Sequence, residues 1–362
     1  MSTIAVLTSG GDAPGMNAAI HAVTKVAAAR GCDVIGVRRG YDGLIDGDMT
    51  PLTRRVDDAP TPLPIPEMEG IAQLGGTVLG SARCPRFLDP VHRAAAARNL
   101  QEWDAAGLVV VGGNGSITGA HALATECDTP VVAIPASIDN DIGLTREALG
   151  VDTALNTIVE ACDRISDTAR SHHRAFIVEV MGRQSGYLAM AAAVAAAADA
   201  VLLPEQGRNF DEIMDAVATC IRDSFGAPRS KRRVLIIKAE GVEIPTHLMV
   251  DELEAELADL ENVDIRGTVL GHLVRGGNSS FRDRLLAGRF GLVAVSALLA
   301  SRTDLMVGWS LTDRGEPTSD AFIRLFPIQE VLEETESLLD GSSDVTMDRV
   351  RRMEAIQGVL AL

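Results

Sequence analysis

The sequence predicts an α/β protein with parallel sheets, and three features carry this prediction. Short runs rich in β-branched residues alternate along the chain with longer segments in which apolar residues recur at helical spacing. The strand runs lack polar alternation, which is typical of strands that helices cover on both faces. Glycine-rich turns follow several of the runs, as expected where the carboxyl ends of parallel strands carry ligand-binding loops.

The predicted strands are short apolar runs, which occur in the order Ile4–Leu7, Val34–Val37, Leu108–Val111, Val131–Ile134, Phe176–Val180, Val201–Leu203, Val234–Ile237 and Thr268–Leu270. The predicted helices between them are Met16–Ala29, Thr153–Thr168, Gly186–Ala198, Phe210–Asp223 and Arg282–Ala300. Two segments with prolines and charges, Thr50–Pro66 and Gly226–Arg233, are predicted surface connections. A last helix is predicted over Met347–Leu362, and we expect this tail to pack on the surface or between subunits.

The size and charge of the chain limit its partners. Its 362 residues, 46% of them hydrophobic, are enough for two domains with buried cores. The 33 Lys and Arg residues are outnumbered by 50 Asp and Glu residues, and the net charge of −17 argues against a general affinity for nucleic acid or an anionic membrane. An anionic ligand must therefore meet a local cluster of cations.

Three further features predict where the protein resides. The segment Met1–Leu7 lacks the basic and long apolar parts of a signal peptide. The apolar stretch Leu188–Leu203 is shorter than the roughly 20 residues of a membrane span. The five cysteines are odd in number and widely spaced, with no metal-ligand pairing. We expect a soluble cytoplasmic protein with reduced thiols and with neither a membrane nor a nucleic-acid partner.

Two glycine turns follow predicted strands and lead into helices. Gly10–Asn17 follows the first strand, and Gly112–Ser116, with Gly119 beyond it, follows the third. Glycines at such turns let backbone amides approach a phosphate at a helix N-terminus. The spacing of the first turn matches neither the P-loop nor the dinucleotide motif, so that turn alone fits an anion site and a plain tight turn equally well. The second turn can cradle a polyphosphate without an anchoring lysine.

A third turn carries two carboxylates two residues apart. Asp139 and Asp141 follow the apolar run Val131–Ile134. One carboxylate can accept a proton from a hydroxyl while the other holds a divalent cation against a phosphate, as phosphoryl transfer requires. Taken alone, the Asp-Asn-Asp turn also fits a solvated loop, because these residues hydrogen-bond their own backbone well.

Single cations stand beside glycines or strands at several places, namely Arg83, Arg174, Arg183, Arg266, His272 and Arg275. Guanidinium groups match phosphate oxygens in geometry and charge. Each arginine alone also fits a surface ion pair, and His272 alone fits a structural histidine. Their recurrence at predicted strand ends of an acidic chain favours a phosphorylated ligand.

Four segments together resemble the 6-phosphofructokinases of the bacterial type: Leu7–Asn17, Ile138–Asp141, Val178–Arg183 and Gly271–Gly277. The resemblance runs from residue 3 to about residue 325, with motif order and spacing in agreement. It implies the phosphofructokinase fold, in which two doubly wound, parallel-type α/β domains face a cleft. The implied nucleotide-binding domain is 1–149 plus about 274–325, the fructose 6-phosphate-binding domain is 150–273, and 326–362 is a C-terminal helical extension outside the resemblance.

The resemblance also implies a reaction and the residues that perform it. ATP would donate its γ-phosphoryl group, with Mg²⁺, to the 1-hydroxyl of fructose 6-phosphate in glycolysis. Asp139 resembles the base, Ser137 stands where threonine is usual, and Arg83 and Arg183 resemble the cations that steady the phosphoryl group. The nucleotide-site positions are Gly11, Tyr41, Arg83, Cys84, Gly113, Asn114, Gly115, Ser116 and Gly119. The fructose 6-phosphate positions are Ser137, Ile138, Asp139, Arg174, Met181, Gly182, Arg183, Glu240, Arg266, His272, Leu273, Val274 and Arg275. Because Arg174 and Arg266 reach in from a neighbouring subunit in the family, a homo-oligomer, usually a tetramer, is implied.

Departures from the family pattern concern the metal and the phosphoryl donor. Asn114 replaces the common magnesium-associated aspartate, and we expect Asn114 and Asp141 to serve as metal ligands. Gly115 and Ala136 are small where pyrophosphate-dependent members carry aspartate and lysine, which favours ATP, although Leu88 occupies a position that is often basic in ATP-dependent relatives. Two alternatives stay open: a phosphotransferase that uses pyrophosphate or another phospho-ketose such as sedoheptulose 7-phosphate, and a non-catalytic sugar-phosphate sensor or regulatory subunit.

Overall fold

The computed structural model describes residues 2–57, 59–226, 228–260, 263–345, 347 and 351, which divide into two units with separate sheets. The first unit comprises Met1–Thr153 and Arg275–Glu336, and the second comprises Ala154–Val274 and Ser337–Leu362. The described strands are β1 (Thr3–Ser9), β2 (Asp33–Val37), β3 (Met49–Pro51), β4 (Thr53–Arg54), β5 (Leu63–Pro64), β6 (Ala105–Gly112), β7 (Val131–Pro135), β8 (Arg174–Val180), β9 (Ala200–Leu202), β10 (Arg233–Ala239), β11 (Asp264–Val269), β12 (Leu305–Trp309), β13 (Glu316–Pro317) and β14 (Ile323–Pro327). The described α-helices are α1 (Met16–Ala29), α2 (Gly40–Asp46), α3 (Pro90–Glu102), α4 (Asn114–Cys127), α5 (Val151–His172), α6 (Tyr187–Ala195), α7 (Phe210–Phe225), α8 (Thr246–Glu256), α9 (Phe281–Leu299) and α10 (Ile328–Leu339).

The described residues of the first unit form an eight-stranded sheet in the order β13-β14-β12-β7-β6-β1-β2-β3. Its central strands β12, β7, β6, β1 and β2 run parallel, which confirms the predicted α/β class. The edge strands β3, β14 and β13 are antiparallel, and the predicted surface connection Thr50–Pro66 contains the end of β3 and the two-stranded β4–β5 ribbon. β3, β4, β5 and β13 have two or three residues and are too short to show a period-2 pattern, so the sequence did not reveal them. The five-residue strands β12 and β14 were not predicted either.

The core of the first unit forms where α1 and α9 pack against each other. The prediction of α1 is confirmed at both ends, and its residues Met16, Ile20 and Val23 are fully buried. A Cβ placed on Gly291 of α9 would lie 2.7 Å from the Cβ of Ala22, so glycine permits the close approach of the two helices. This pair therefore covers one face of the parallel strands.

The second unit is built on a four-stranded parallel sheet, in the order β11-β8-β10-β9 within its described residues. Its core joins Ile177 and Ile236 of the sheet to Val217 of α7 and Met249 of α8. The N-terminus of α7 has a capping box, in which Asn209 and Glu212 each accept a hydrogen bond from the other's backbone amide (3.0 and 2.9 Å). β11 begins at Asp264, four residues before the predicted start at Thr268. The prediction started too late because Asp264 and Arg266 interrupt the apolar pattern of the strand.

The C-terminal part of the described chain begins with β14, which pairs with β12, and continues as α10. Of the predicted helix Met347–Leu362, residues other than Met347 and Arg351 lie outside the described ones. Among the described helices, none has the combined length and apolar character that a membrane crossing requires.

Candidate active site

Three neighbouring parallel strands of the first unit end at one edge of its sheet. β1 pairs with β6 and β6 with β7, so that Ser9 lies beside Gly112 and Gly112 beside Pro135. The Ala136 amide donates to the Gly112 carbonyl (2.9 Å), which extends the pairing beyond the last strand residue. The sheet register therefore brings both glycine turns and the Ser137–Asp141 turn to the same edge.

A pocket of about 640 Å³ opens at this edge, a volume that suits a nucleotide. All of the predicted nucleotide-site residues line it: Gly11, Tyr41, Arg83, Cys84, Gly113, Asn114, Gly115, Ser116 and Gly119. Ser137, Asp139 and Arg275, which the sequence places in catalysis or sugar-phosphate binding, line the same pocket.

The first turn of α4 forms one wall of the pocket. The amides of Ser116 and Ile117 donate to the Gly113 carbonyl (2.9 and 3.0 Å). Among the described residues this leaves the amides of Asn114 and Gly115 as donors at the positive end of the helix dipole, where phosphate groups bind favourably. A Cβ placed on Gly115 would meet no heavy atom within 4 Å, so this part of the wall adjoins open space.

Asp141 is held by hydrogen bonds to both of its side-chain oxygens. The Ser137 hydroxyl donates to Oδ1 (3.0 Å), and the Asn114 side-chain nitrogen donates to Oδ2 (2.9 Å). Asn140 adopts a left-handed conformation with φ of 49°, and its side chain donates to the carbonyl of Arg146 (3.1 Å). These bonds fix the turn that carries Asp139 at the pocket wall.

The geometry at Asn114 bears on the expected metal site. Asn114 presents its nitrogen to Asp141, and Asp141 does not line the pocket. The side-chain oxygen Oδ1 of Asn114 is buried and has no hydrogen-bond partner among the described residues. Mg²⁺ or one of its water ligands would satisfy such an oxygen, so the residues fit the metal. Within the described ranges no cluster of three or more His, Cys, Asp or Glu side chains could hold a metal ion, so donor phosphates and water would supply most of its ligands.

Tyr41 and Phe87 form a part of the pocket lining that we call the aromatic end. Tyr41 is buried, its hydroxyl donates to the Ser116 carbonyl (2.6 Å), and its ring stacks on Phe87 with a centroid distance of 3.9 Å. Burial holds the pKa of the Tyr41 phenol well above its usual value, so this hydroxyl remains a donor. A Cβ placed on Gly119 would lie 2.9 Å from the Tyr41 ring, so Gly119 leaves the space that the ring occupies. The exposed Leu88 also lines this end.

Cys84 is a hydrogen-bond donor in the pocket wall. Its sulfur lies 3.0 Å from Oδ1 of Asp42, which Arg86 also contacts at 2.7 Å. Burial, followed by the hydrogen bond to Asp42, raises the pKa of the Cys84 thiol to about 11. The thiol therefore stays protonated near neutral pH and is not an activated nucleophile.

Two of the predicted cations, Arg83 and Arg275, line the pocket. Arg83 is exposed and has no hydrogen-bond or ion-pair partner among the described residues, so its charge is available to an anion. Arg275 donates to the Asp12 carbonyl (2.8 Å). A Cβ placed on Gly11 would lie 2.9 Å from Nη1 of Arg275, so glycine at this position makes room for the guanidinium.

The second unit gathers other predicted residues where β8, β10 and β11 end. Gly182 has φ of 125°, and its carbonyl accepts the amide of Gly241 (3.2 Å). The Glu240 amide donates to the Val180 carbonyl (2.9 Å), which joins the turns after β8 and β10. The predicted sugar-phosphate residues at this edge are Met181, Gly182, Arg183, Glu240, His272, Leu273 and Val274. His272 is exposed, which does not fit a buried structural histidine.

A buried ion pair lies directly before this edge. Lys238 of β10 is 1% exposed and lies opposite Glu179 of β8 in the sheet register. Its Nζ is 2.9 Å from Oε2 of Glu179, and the Thr246 hydroxyl donates to the same oxygen. The pair ties the two strands together just before they open into Met181 and Glu240. The sequence did not reveal it, since Lys238 is one polar residue in a strand.

Arg174 and Arg266 are not at the carboxyl edge of the second sheet. Arg174 is the first residue of β8, and Arg266 lies inside β11 instead of preceding a strand. Both contact Asp264, at 2.6 and 2.7 Å. A strand of seven residues spans about 20 Å, which separates Arg174 from the turn that follows β8.

A comparison with protein families identifies the chain. The phosphofructokinase family profile matches residues 3–298. The chain belongs to the phosphofructokinase family. A relative from Thermotoga neapolitana named ATP-dependent 6-phosphofructokinase is 44% identical over 92% of this chain and 94% of its own length. ATP-dependent 6-phosphofructokinase 2 of Bacteroides thetaiotaomicron is 41% identical over 84% of this chain and 88% of its own.

Solved structures of phosphofructokinases share the fold. The phosphofructokinase of Saccharomyces cerevisiae superposes with a TM-score of 0.80 at 32% identity, over 96% of this chain and 48% of the yeast chain. The present chain thus spans about half the length of the yeast chain. A pyrophosphate-dependent phosphofructokinase from Marinobacter aquaeolei superposes with a TM-score of 0.75 at 20% identity, over 91% of this chain and 84% of that one, a likeness of fold alone.

The residues that line the pocket differ from the predicted ones in two respects. Ile138, a predicted sugar-phosphate residue, is 1% exposed and does not line the pocket, because its side chain packs near Gly150. Arg93 and Glu126 line the pocket although no motif contains them. Arg93 lies on α3 and Glu126 near the end of α4, seven residues beyond the last glycine of the predicted turn, so no local signal marked either residue.

Proposed function

We propose that this chain is an ATP-dependent 6-phosphofructokinase. It transfers the γ-phosphoryl group of ATP to the 1-hydroxyl of fructose 6-phosphate and yields fructose 1,6-bisphosphate and ADP, a step of glycolysis. The observation that carries the proposal is the pocket of the first unit, where Asp139 shares the wall with every predicted nucleotide-site residue. Relatives named ATP-dependent 6-phosphofructokinase at 44% and 45% identity support it.

The residues of the pocket take separate roles in the proposed reaction. Asp139 accepts the proton that the 1-hydroxyl loses as its oxygen bonds to phosphorus. Arg83 and the amides of the first α4 turn neutralise charge on the transferring group and on the ADP that leaves. Ser137 donates to Asp141, and it would exchange this bond for one to a phosphate oxygen. When bound, Mg²⁺ would offset the negative charge of the donor's phosphates. Asn114 Oδ1 would be the protein oxygen that ligates the ion or one of its waters.

The pocket favours a nucleotide donor over pyrophosphate. The open space beside Gly115 and the small side chain of Ala136 leave room for an α-phosphate. The stacked Tyr41–Phe87 pair and the apolar Leu88 add aromatic and apolar surface to the pocket. Pyrophosphate has no base or ribose to cover such a surface, whereas ATP has both.

A comparison of donors tests the proposed function. Fructose 1,6-bisphosphate formation from fructose 6-phosphate and magnesium is measured with ATP and with pyrophosphate in parallel. We expect turnover with ATP alone. Turnover with pyrophosphate alone would contradict the donor assignment, and absence of turnover with both would favour a non-catalytic sugar-phosphate sensor.

We also propose that the first unit binds the nucleotide and that the second binds fructose 6-phosphate. The carboxyl edge of the second sheet supports this assignment, since Arg183 and His272 are exposed there. Arg183 has no hydrogen-bond or ion-pair partner among the described residues, so it can bind an anion. Glu240 would accept hydrogen bonds from sugar hydroxyl groups.

Arg174 and Arg266 support a proposal about assembly. They lie away from the carboxyl edge of their own sheet, and we propose that they bind sugar phosphate in a neighbouring copy, as in a tetramer. Mixing two weakly active variants, Asp139→Asn and Arg174→Ala, tests this arrangement. Subunit exchange should restore part of the activity, because a hybrid contains one site with both residues intact. Mixtures that stay as weak as their components after proven exchange would contradict it.

A further inference from the structure

The aromatic end of the pocket contains an ion pair that the proposed reaction does not use. Arg93 of α3 is 8% exposed, and its Nε and Nη2 donate to the two carboxylate oxygens of Glu126 on α4, each at 2.8 Å. Its Nη1 donates to the Phe87 carbonyl (2.7 Å). Each of the three guanidinium nitrogens of Arg93 therefore has a partner within the protein, and the two bonds to Glu126 fix the orientation of its carboxylate.

Glu126 keeps hydrogen-bonding capacity toward the pocket. Its side chain is 43% exposed, and it lines the pocket together with Arg93. A carboxylate has about four lone-pair sites, of which the guanidinium occupies two. The remaining sites can only accept hydrogen bonds, so Glu126 would recognise a donor group on a ligand.

The position of Glu126 corresponds to the base of a bound nucleotide. Phosphate groups are favoured at the N-terminus of α4, where Asn114 begins the helix. Thr118, Ala122 and Glu126 follow at intervals of four residues and all line the pocket, so one face of α4 runs along it. Glu126 is twelve residues beyond Asn114, which is about 18 Å along the helix axis, and its side chain leans back toward the N-terminus, so an extended nucleoside triphosphate can span most of this distance.

We propose that Glu126, positioned by Arg93, selects the donor's base by accepting a hydrogen bond from an exocyclic amino group. The inference rests on the proposed ATP-dependent function and adds a specificity residue to it. The 6-amino group of adenine is a donor, whereas hypoxanthine carries a carbonyl oxygen at the same place. That oxygen would face the carboxylate with no proton between them, which leaves two desolvated acceptors unpaired.

The variant Glu126→Gln tests the proposal with ATP and ITP as alternative donors. A glutamine keeps the size of the side chain and can accept one of the two hydrogen bonds from Arg93 through its single oxygen, while its amide nitrogen can turn a donor toward the hypoxanthine oxygen. The ratio of kcat/KM for ATP to that for ITP should fall by about 10- to 100-fold. This factor corresponds to the free energy of one hydrogen bond to a charged group. The kcat with saturating ATP should change little, because the base lies far from the reacting atoms.

A matched ion pair in the first unit serves as the control. Arg289 also contacts both carboxylate oxygens of Asp320, but neither residue lines the pocket. Asp320→Asn should leave the ATP-to-ITP ratio at the parent value. An equal fall in both variants would assign the effect to general loosening and overturn the proposal.

The unmodified protein provides a second test that does not depend on a variant folding. Purine riboside triphosphate lacks the 6-amino group and should be used at least ten times less efficiently than ATP. Equal kcat/KM for the two nucleotides would overturn the proposal while leaving the proposed function intact. If no nucleotide supports turnover, the proposed function fails. Calorimetric affinities then still test the role of Glu126, because equal affinities for ATP and ITP would overturn it.

Discussion

Gly115 leaves the space in which we place the donor's phosphates, and Gly115→Asp would fill it. A Cβ at this position meets no heavy atom within 4 Å, so the substitution displaces no protein atom. The residue lies in the first turn of α4, where an acidic side chain is favourable to the helix dipole. We therefore expect the variant to fold normally and to alter only the pocket.

The expected effect on ATP use follows from charge repulsion. Two like charges about 4 Å apart at an effective dielectric constant of about 20 repel by roughly 4 kcal/mol. Screening by water and by Arg83 should reduce this by about a third to a half. The remaining 2–3 kcal/mol corresponds to a fall in kcat/KM for ATP on the order of 10²-fold.

The assay couples fructose 1,6-bisphosphate formation to a spectroscopic signal and uses ATP and pyrophosphate in turn. Gly115→Ala is the control, since it adds a methyl group without charge and should stay within a few-fold of the parent. Melting temperatures establish that both variants are folded. A folded Gly115→Asp protein with parental kcat/KM for ATP would refute the placement of the donor phosphates beside α4.

Three further predictions concern single residues of the first unit. Asp139→Asn should lower kcat by about 10²-fold or more with sugar-phosphate binding retained, as measured by steady-state kinetics and calorimetry, and unchanged turnover would remove Asp139 from the role of base. Asn114→Asp should lower the magnesium concentration for half-maximal activity, since it adds a charge beside the metal, and an unchanged magnesium titration would place the ion elsewhere. Burial raises the pKa of Glu147 to about 7, so the folded protein binds this proton more tightly than the unfolded chain, and the free energy of unfolding falls as pH rises from about 4.5 to 7. Glu147→Gln should therefore melt a few degrees higher than the parent at pH 8 and show little difference at pH 5, and equal melting temperatures at pH 8 would contradict this.

Most of the parallel strands and the turns that follow them could be predicted from the sequence, because the patterns that indicate them lie within a few consecutive residues. The burial of β1 follows from a continuous apolar run, and the turn at Gly10–Asn17 follows from glycines within a few residues of each other. The ends of strands were predicted less accurately where polar residues occupy the strand, as at the start of β11. β3 and β13 carried no usable pattern because they have only three and two residues.

The sequence by itself determined the fold class, the family and the segments that approach phosphate, because each depends on residues that are close together in the chain. Only the tertiary structure decided which side chains meet. Arg93 and Glu126 are 33 residues apart, Asn114 and Asp141 are 27 apart, and Arg174 and Asp264 are 90 apart. No local preference selects such partners. Each contact depends on the order of strands in a sheet and on the helix face that the packing turns toward the pocket.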